Sequence, residues 1–171
     1  MSHLIAEAYV CDPRPDYPFL ITAKRYTVSS CVPEEPEALT LVLAHGTGYH
    51  KEHWEPTLEH IFEYAARDGR VKIRDAWAID CPNHGDAAVL NERTLLWGYD
   101  NCTRTVSLLH AACSPLLMPV SWEEYARSVH LFLSGLYPGV GVDFAKRKLV
   151  GIGHSMGCIA LYALCPFLLP R

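Results

Sequence analysis

The sequence lacks the cysteine pairs that mark a disulfide framework or a thiolate metal site. It has 7 cysteines in 171 residues, an odd number, and no two of them are spaced as CxxC. Secreted disulfide scaffolds carry an even set of cysteines, and zinc ribbons and fingers need CxxC pairs or matching histidines. We therefore expect reduced thiols, no metal site and a cytoplasmic location.

Long apolar runs and blocks of positive charge are also missing. No apolar stretch approaches the roughly 18 residues of a membrane span, and no basic segment precedes an apolar core at the N-terminus. The 15 Lys and Arg residues are scattered and are outnumbered by 19 Asp and Glu, which gives a formal net charge of −4. We predict no transmembrane segment, no signal peptide and no nucleic-acid partner.

The apolar content of 50 %, against 20 % charged residues, is typical of a packed globular chain long enough for one domain. Strand-like and helix-like segments alternate along the chain, which predicts an α/β fold with a mostly parallel sheet flanked by helices. Strands are predicted at 19–28, 38–44, 71–80 and 148–153. Helices are predicted at 54–67 with a stop at Gly69, after a capping-box pattern at Ser121, and directly after Ser155.

Residues 86–120 interrupt this alternation. They show no persuasive helical or strand period, and so long an irregular stretch is unusual in a compact domain. We interpret the stretch as an irregular insertion or cap segment within a single domain over residues 1–171. A lid and a poorly packed insertion are both open, and we assign no functional residue there.

The motif with the clearest chemistry is Gly153-His154-Ser155-Met156-Gly157, a G-x-S-x-G between an apolar strand and an apolar helix. A serine in this position lies on a tight turn that exposes its hydroxyl at a helix N-terminus, where developing negative charge is favoured. The glycines leave room for the strand and the helix to approach each other. Ser155 is therefore the candidate nucleophile.

A second motif, His45-Gly46-Thr47-Gly48, follows another apolar strand. Attack on a carbonyl creates an oxyanion, and two backbone N–H groups aimed at that oxygen lower the barrier by a few kcal/mol. The amides of Thr47 and Met156 are the expected donors, because the glycines let the chain approach a substrate closely.

The remaining acid and histidine candidates are interpreted as structural. Asp80 and His84 lie in the turn DCPNHG after the third strand, which we expect to shape the crevice rather than to supply a catalytic acid and base. Four other histidines lack H-E-x-x-H spacing and are interpreted as surface or helix-start residues. They are His45, His50, His53 and His60.

The order strand-HGTG, strand-DCPNHG, strand-GHSMG resembles the α/β-hydrolase superfamily over most of the chain. The stretch HGTGYHKEHWEP is similar to fungal members such as peroxisomal lipases and hydrolases of toxin biosynthesis. The resemblance implies a small-molecule ester or thioester substrate, an acyl-enzyme on Ser155, an oxyanion hole from Thr47 and Met156, and no cofactor. A peroxisomal location rests on the resemblance alone, without a visible targeting signal.

The sequence departs from the family pattern after Ser155. The triad partners of this superfamily follow the nucleophile, first Asp or Glu and then His. None of the residues after Ser155 is Asp, Glu or His. We therefore expect a truncated α/β-hydrolase fold with impaired activity, in which strand 148–153 is an exposed edge that favours self-association. A serine hydrolase, a non-catalytic fragment or regulatory pseudoenzyme, and an acyltransferase stay open.

Overall fold

A computed structural model describes residues 3–32, 35–96 and 120–168 of the chain. The strands are β1 (Ile5–Cys11), β2 (Ile21–Thr27), β3 (Leu39–Ala44), β4 (Ile73–Ile79) and β5 (Lys148–Gly153). The helices are α1 (Glu55–Asp68), α2 (Gly85–Leu90), α3 (Glu92–Leu96), α4 (Trp122–Ser134) and α5 (Met156–Leu168), with 3₁₀ turns at Lys51–Trp54 and Phe144–Lys146.

The described strands form one sheet in the order β1-β2-β4-β3-β5. Strand β3 pairs in parallel with β4 and with β5, whereas β2 pairs antiparallel with both β1 and β4. The predicted α/β class is confirmed, but the sheet is mixed, and "mostly parallel" describes only its β4-β3-β5 half. Strand β1 was not predicted. Its residues are largely exposed at the sheet edge, so the strand has no buried face that would give an alternating apolar pattern in the sequence.

Helices cover both faces of the sheet, as predicted. Alternate residues of β3 point to opposite sides. Leu41 and Leu43 join the core beneath α1. Val42 and Ala44 join the core beneath α4 and α5. Because β3, β4 and β5 run parallel, their carboxyl ends meet at one edge of the sheet. Parallel α/β folds bind ligands at this edge.

Two predicted helix boundaries are confirmed. Gly69 has a φ of 69° and ends α1 in the left-handed conformation. The Ser121 hydroxyl accepts a hydrogen bond of 3.2 Å from the N–H of Glu124 at the start of α4.

The prediction of irregular structure from residue 86 was wrong at its beginning, because α2 and α3 are helical up to residue 96. Both helices are too short to show a period in the sequence. Residues 97–119 lie outside the described part of the chain, and the single-domain boundary stays a prediction. Within the described ranges, no helix has the length and apolar character to cross a membrane.

Candidate active site

Ser155 lies on a strained turn between β5 and α5. Its φ is 50°, in the left-handed region that residues with a side chain rarely adopt. Two backbone hydrogen bonds of 2.9 Å close the turn, from the Gly157 N–H to the His154 carbonyl and from the Cys158 N–H to the Ser155 carbonyl. The side chain of Ser155 is exposed. The strand-turn-helix context predicted for the nucleophile is present.

The two glycines of this elbow (residues 153–157) are required by close packing. A Cβ atom on Gly153 would lie 2.5 Å from the amide nitrogen of Cys158. A Cβ atom on Gly157 would overlap the carbonyl oxygen of Ala44 at the end of β3. No larger residue fits either position without moving backbone, which is the physical reason for the spacing of G-x-S-x-G.

The segment after β3, residues 45–50, is the β3 loop, and it brings Thr47 to the elbow. The Thr47 hydroxyl donates to the Met156 sulfur at 3.6 Å across 109 residues of sequence. Met156 is the first residue of α5, so its N–H has no partner within the helix. The two predicted oxyanion donors therefore belong to neighbouring residues in space. Their role stays a prediction.

His45 is fully buried, so its interpretation as a surface or helix-start residue was wrong. Its Nε2 accepts the N–H of Cys81 at 3.0 Å, and its Nδ1 lies 2.9 Å from the Gly46 carbonyl oxygen. This pairing assigns the ring proton to Nδ1. Burial lowers the pKa of His45 to about 4, so the ring is neutral at pH 7. Its side chain supports the loop from below.

The backbone of His45 is held as well. Its N–H donates to the Tyr125 hydroxyl at 3.0 Å, and that hydroxyl donates to the Ile79 carbonyl at 2.8 Å. Tyr125 of α4 thus connects the ends of β3 and β4. This hydrogen-bonding role could not be predicted from the sequence, because Tyr125 occupies one apolar position of an amphipathic helix and has no motif around it.

A buried ion cluster lies beneath the β3 loop and was not predicted. Lys51 is 1 % exposed, and its Nζ lies 2.7 Å from both Asp80 and Asp86 and 3.0 Å from Glu52. Asp80 also accepts the backbone N–H of Lys51 and the Thr22 hydroxyl, each at 2.8 Å. Burial alone would lower the pKa of Lys51, but the hydrogen bonds to the carboxylates raise it. The lysine is therefore charged and joins the loop to β4 and α2.

The turn after β4 supports the loop on another side. The Gly48 N–H donates to His84 Nε2 at 3.2 Å, and His84 Nδ1 lies 2.7 Å from the Asn83 side-chain oxygen. Burial lowers the pKa of His84, which favours the neutral ring that accepts this bond. Asp80 and His84 thus both bond to backbone N–H groups in or next to the β3 loop, and a purely architectural role for them stays a prediction.

Three aromatic side chains form a ring cluster beside the elbow, made of Tyr49, His53 and His154. The ring centroids are 5.0 Å apart for Tyr49 and His53, 5.4 Å for Tyr49 and His154, and 5.8 Å for His53 and His154. His53 lies in the 3₁₀ turn that leads into α1, the helix-start position expected for it. His50 and His60 are exposed, as expected.

Within the described ranges, no three side chains of His, Cys, Asp or Glu are grouped so that they could hold a metal ion. The cysteines with described side chains are free thiols, namely Cys11, Cys31, Cys81 and Cys158.

The elbow and the turns after β3 and β4 fall within a known family pattern. A family model described as the alpha/beta hydrolase family matches residues 41–170. The chain belongs to the α/β-hydrolase family. The resemblance seen in the sequence motifs is thereby confirmed for the fold and for the superfamily.

Curated relatives of this α/β hydrolase include fungal thioesterases. The chain is 28 % identical over 137 residues to the type I acyl-CoA thioesterase mpaH′ of Penicillium brevicompactum. It is 26 % identical over 137 residues to the type I acyl-CoA thioesterase mpaH of Penicillium roqueforti. Each match covers 80 % of this chain and 25 % of the relative, so the chain spans about a quarter of the length of these relatives.

A solved structure has the same fold. The peroxisomal alpha-beta-hydrolase Lpx1 of Saccharomyces cerevisiae superposes with a TM-score of 0.57 at 24 % identity. The match covers 98 % of this α/β hydrolase and 42 % of Lpx1. At this identity the likeness concerns the fold alone.

Proposed function

We propose that this α/β hydrolase cleaves an ester or thioester through an acyl-enzyme on Ser155. The Ser155 Oγ attacks the carbonyl carbon, and the carbonyl oxygen becomes an oxyanion that accepts hydrogen bonds from the amides of Thr47 and Met156. Collapse of this intermediate breaks the bond to the leaving oxygen or sulfur, which takes up the proton lost from the Ser155 hydroxyl and departs as the alcohol or thiol. Water then attacks the acyl-enzyme and releases the acid and the free serine.

One observation carries the proposal. Ser155 has a φ of 50° and an exposed side chain at the start of α5, and the residue after it contacts Thr47 of the β3 loop. A strained backbone persists only where the surrounding structure holds it, and such strain clusters at functional sites. The curated relatives carry the name acyl-CoA thioesterase, which supports a thioester among the substrates to be tested.

The rate of hydrolysis depends on a general base that activates Ser155. Removing the proton of the serine hydroxyl needs a general base, and none of the residues after Ser155 is Asp, Glu or His. We propose that these 171 residues by themselves hydrolyse the substrate slowly, because without a triad base only the residual acceleration from the oxyanion hole and substrate binding remains. The second candidate function is that of a non-catalytic binding or regulatory protein.

The test is labelling of the purified chain with a fluorophosphonate, which reacts only with an activated serine. Ser155→Ala is the matched control, and Ser134→Ala tests a serine in α4 away from the elbow. Labelling that is lost in Ser155→Ala and kept in Ser134→Ala would support the nucleophile. A folded parent that stays unlabelled would contradict the enzyme and favour the binding protein.

A labelled parent would then be given short-chain acyl thioesters with and without an added alcohol or amine. Release of free acid that is unaffected by the acceptor identifies a hydrolase. Formation of a new ester or amide identifies the acyltransferase alternative.

We also propose self-association through β5. This strand pairs with β3 on one side, and in the described sheet it is a terminal strand. Val150 of β5 and Ile159 and Tyr162 of α5 expose apolar surface beside it. An uncovered edge next to apolar side chains favours pairing with another chain.

The cytoplasmic location stays a prediction that fractionation of the expressing cell would test.

A further inference from the structure

We propose that His154, the residue before the nucleophile, is a positioning residue that holds the β3 loop against the elbow. The inference deepens the proposed function, since it gives the placement of the Thr47 amide a physical cause. Its test, however, does not need an active enzyme.

The first contact is with the beginning of the β3 loop. The backbone N–H of His154 donates to the Ala44 carbonyl at 3.0 Å, which extends the pairing of β5 with β3 by one residue. The imidazole then lies over Gly46. A Cβ atom on Gly46 would be 2.7 Å from Nδ1 and 3.1 Å from Cε1 of His154. Glycine is therefore the only residue type at position 46 that lets this ring lie against the loop backbone.

The second contact is with the end of the same turn. The Tyr49 ring meets the His154 ring edge-on at 5.4 Å, and the Tyr49 N–H donates to the Gly46 carbonyl at 3.1 Å. The His154 ring thus touches the loop on both sides of Thr47. His53 lies against the same two rings at 5.0 Å and 5.8 Å and closes the cluster.

These contacts decide where the Thr47 amide lies relative to the elbow. An oxyanion donor acts only when it is held at hydrogen-bond distance from the developing charge, and a displacement of about 1 Å is costly. Met156 is fixed by α5, but Thr47 is exposed on a loop. A ring carried by the elbow itself, packed on both sides of Thr47, couples the two donors directly.

Amide hydrogen exchange of Gly48 and Tyr49, followed by NMR on the full chain, tests the proposal. These two N–H groups are bonded to His84 and to Gly46, so their exchange reports opening of the loop. We expect His154→Ala to accelerate both by about three- to tenfold, the size of effect that one aromatic pair produces. We expect His154→Phe, which restores a ring without its nitrogens, to stay within about twofold of the parent.

Tyr49→Ala removes the contact from the other side and should accelerate Gly48 exchange in the same way. His60→Ala, an exposed histidine of α1, is the matched control and should change neither amide. Circular dichroism selects variants that are folded as the parent is. Parent-like exchange in folded His154→Ala, or equal acceleration in His154→Phe, would overturn the positioning role.

Fluorophosphonate labelling of the same variants separates this inference from the proposed function. A labelling rate that falls in His154→Ala and recovers in His154→Phe supports both. A parent that is not labelled contradicts the proposed enzyme, while the exchange rates still decide whether His154 holds the loop.

Discussion

At the scale of single residues, the candidate site depends on side chains that never meet a substrate. His45 and Lys51 lie below the β3 loop and are almost completely buried. Burial keeps the His45 ring neutral, whereas hydrogen bonds to carboxylates keep Lys51 charged. Their opposite electrostatic states lead to different predictions.

The first residue-scale prediction concerns pH. The pKa of His45 falls from its ordinary 6.5 to about 4 on folding because of burial, so between these values the unfolded chain binds more protons than the folded one. Its contribution to stability is present above pH 6.5 and is lost as the pH falls toward 4. Between about pH 7 and pH 4.5 the parent should lose about 2–3 kcal/mol more than His45→Gln.

Urea unfolding of both proteins at the two pH values measures this difference. His84, whose pKa is also lowered, contributes with the same sign in both proteins. Equal pH dependence of parent and variant would show that His45 is not held neutral by the fold.

The second residue-scale prediction concerns Lys51. Lys51→Met leaves the Asp80 carboxylate buried without its cation, and removal of one partner of a buried pair costs about 3–5 kcal/mol. Lys146→Met is the matched control, because Lys146 is 84 % exposed and solvent screens its pair with Asp143, so this substitution should cost little stability. Denaturant unfolding of both variants measures the difference. Similar losses of unfolding free energy in the two variants would show that the ion cluster does not stabilise the fold.

At the scale of elements, the site is made by the way α5 approaches the end of β3. The backbone of α5 is so close to the Ala44 carbonyl that only glycine fits at position 157. The same approach brings the start of α5 next to the β3 loop and so joins Met156 to Thr47.

Gly157→Ala tests this approach. In an isolated helix alanine would be favoured over glycine by about 1 kcal/mol, but here the added Cβ overlaps backbone. We expect a net loss of about 1–3 kcal/mol and slower fluorophosphonate labelling of Ser155.

Gly151→Ala in β5 is the control for Gly157→Ala. Its Cβ would meet the movable Leu161 side chain at 3.3 Å, so the cost should stay below about 1 kcal/mol. A Gly157→Ala variant as stable as this control would contradict the close approach.

At the scale of the whole molecule, the part of the sheet that the structure describes has two different edges. Strand β1 forms one edge and β5 the other, and β5 carries the elbow. If β5 is the surface of self-association, Val150→Lys should shift the chain toward the monomer, because a charged residue on an edge opposes pairing. Val89→Lys, on the exposed surface of α2, should leave the association unchanged.

Light scattering after gel filtration, over a range of concentrations, measures both lysine variants. A parent that is monomeric at all concentrations would end the proposal of an associating edge. Equal effects of the two substitutions would assign the change to net charge rather than to β5.

Local patterns in the sequence determined a large part of this protein. The order of β2 to β5 with α1, α4 and α5, the stop at Gly69 and the cap at Ser121 follow from periodicity and turn chemistry within a few residues. The turn at Ser155 was predictable for the same reason, because a G-x-S-x-G between strand and helix admits few conformations.

The tertiary structure alone decided how distant residues meet. The burial of His45, the pairing of Lys51 with Asp80 and Asp86, and the rings packed around His154 join segments that are far apart in sequence. A single lysine or histidine in a sequence belongs to no periodic pattern or motif from which its contact partner could be predicted. Such contacts arise only when strand order and helix packing bring the loops to one edge of the sheet, and the candidate site exists because they do.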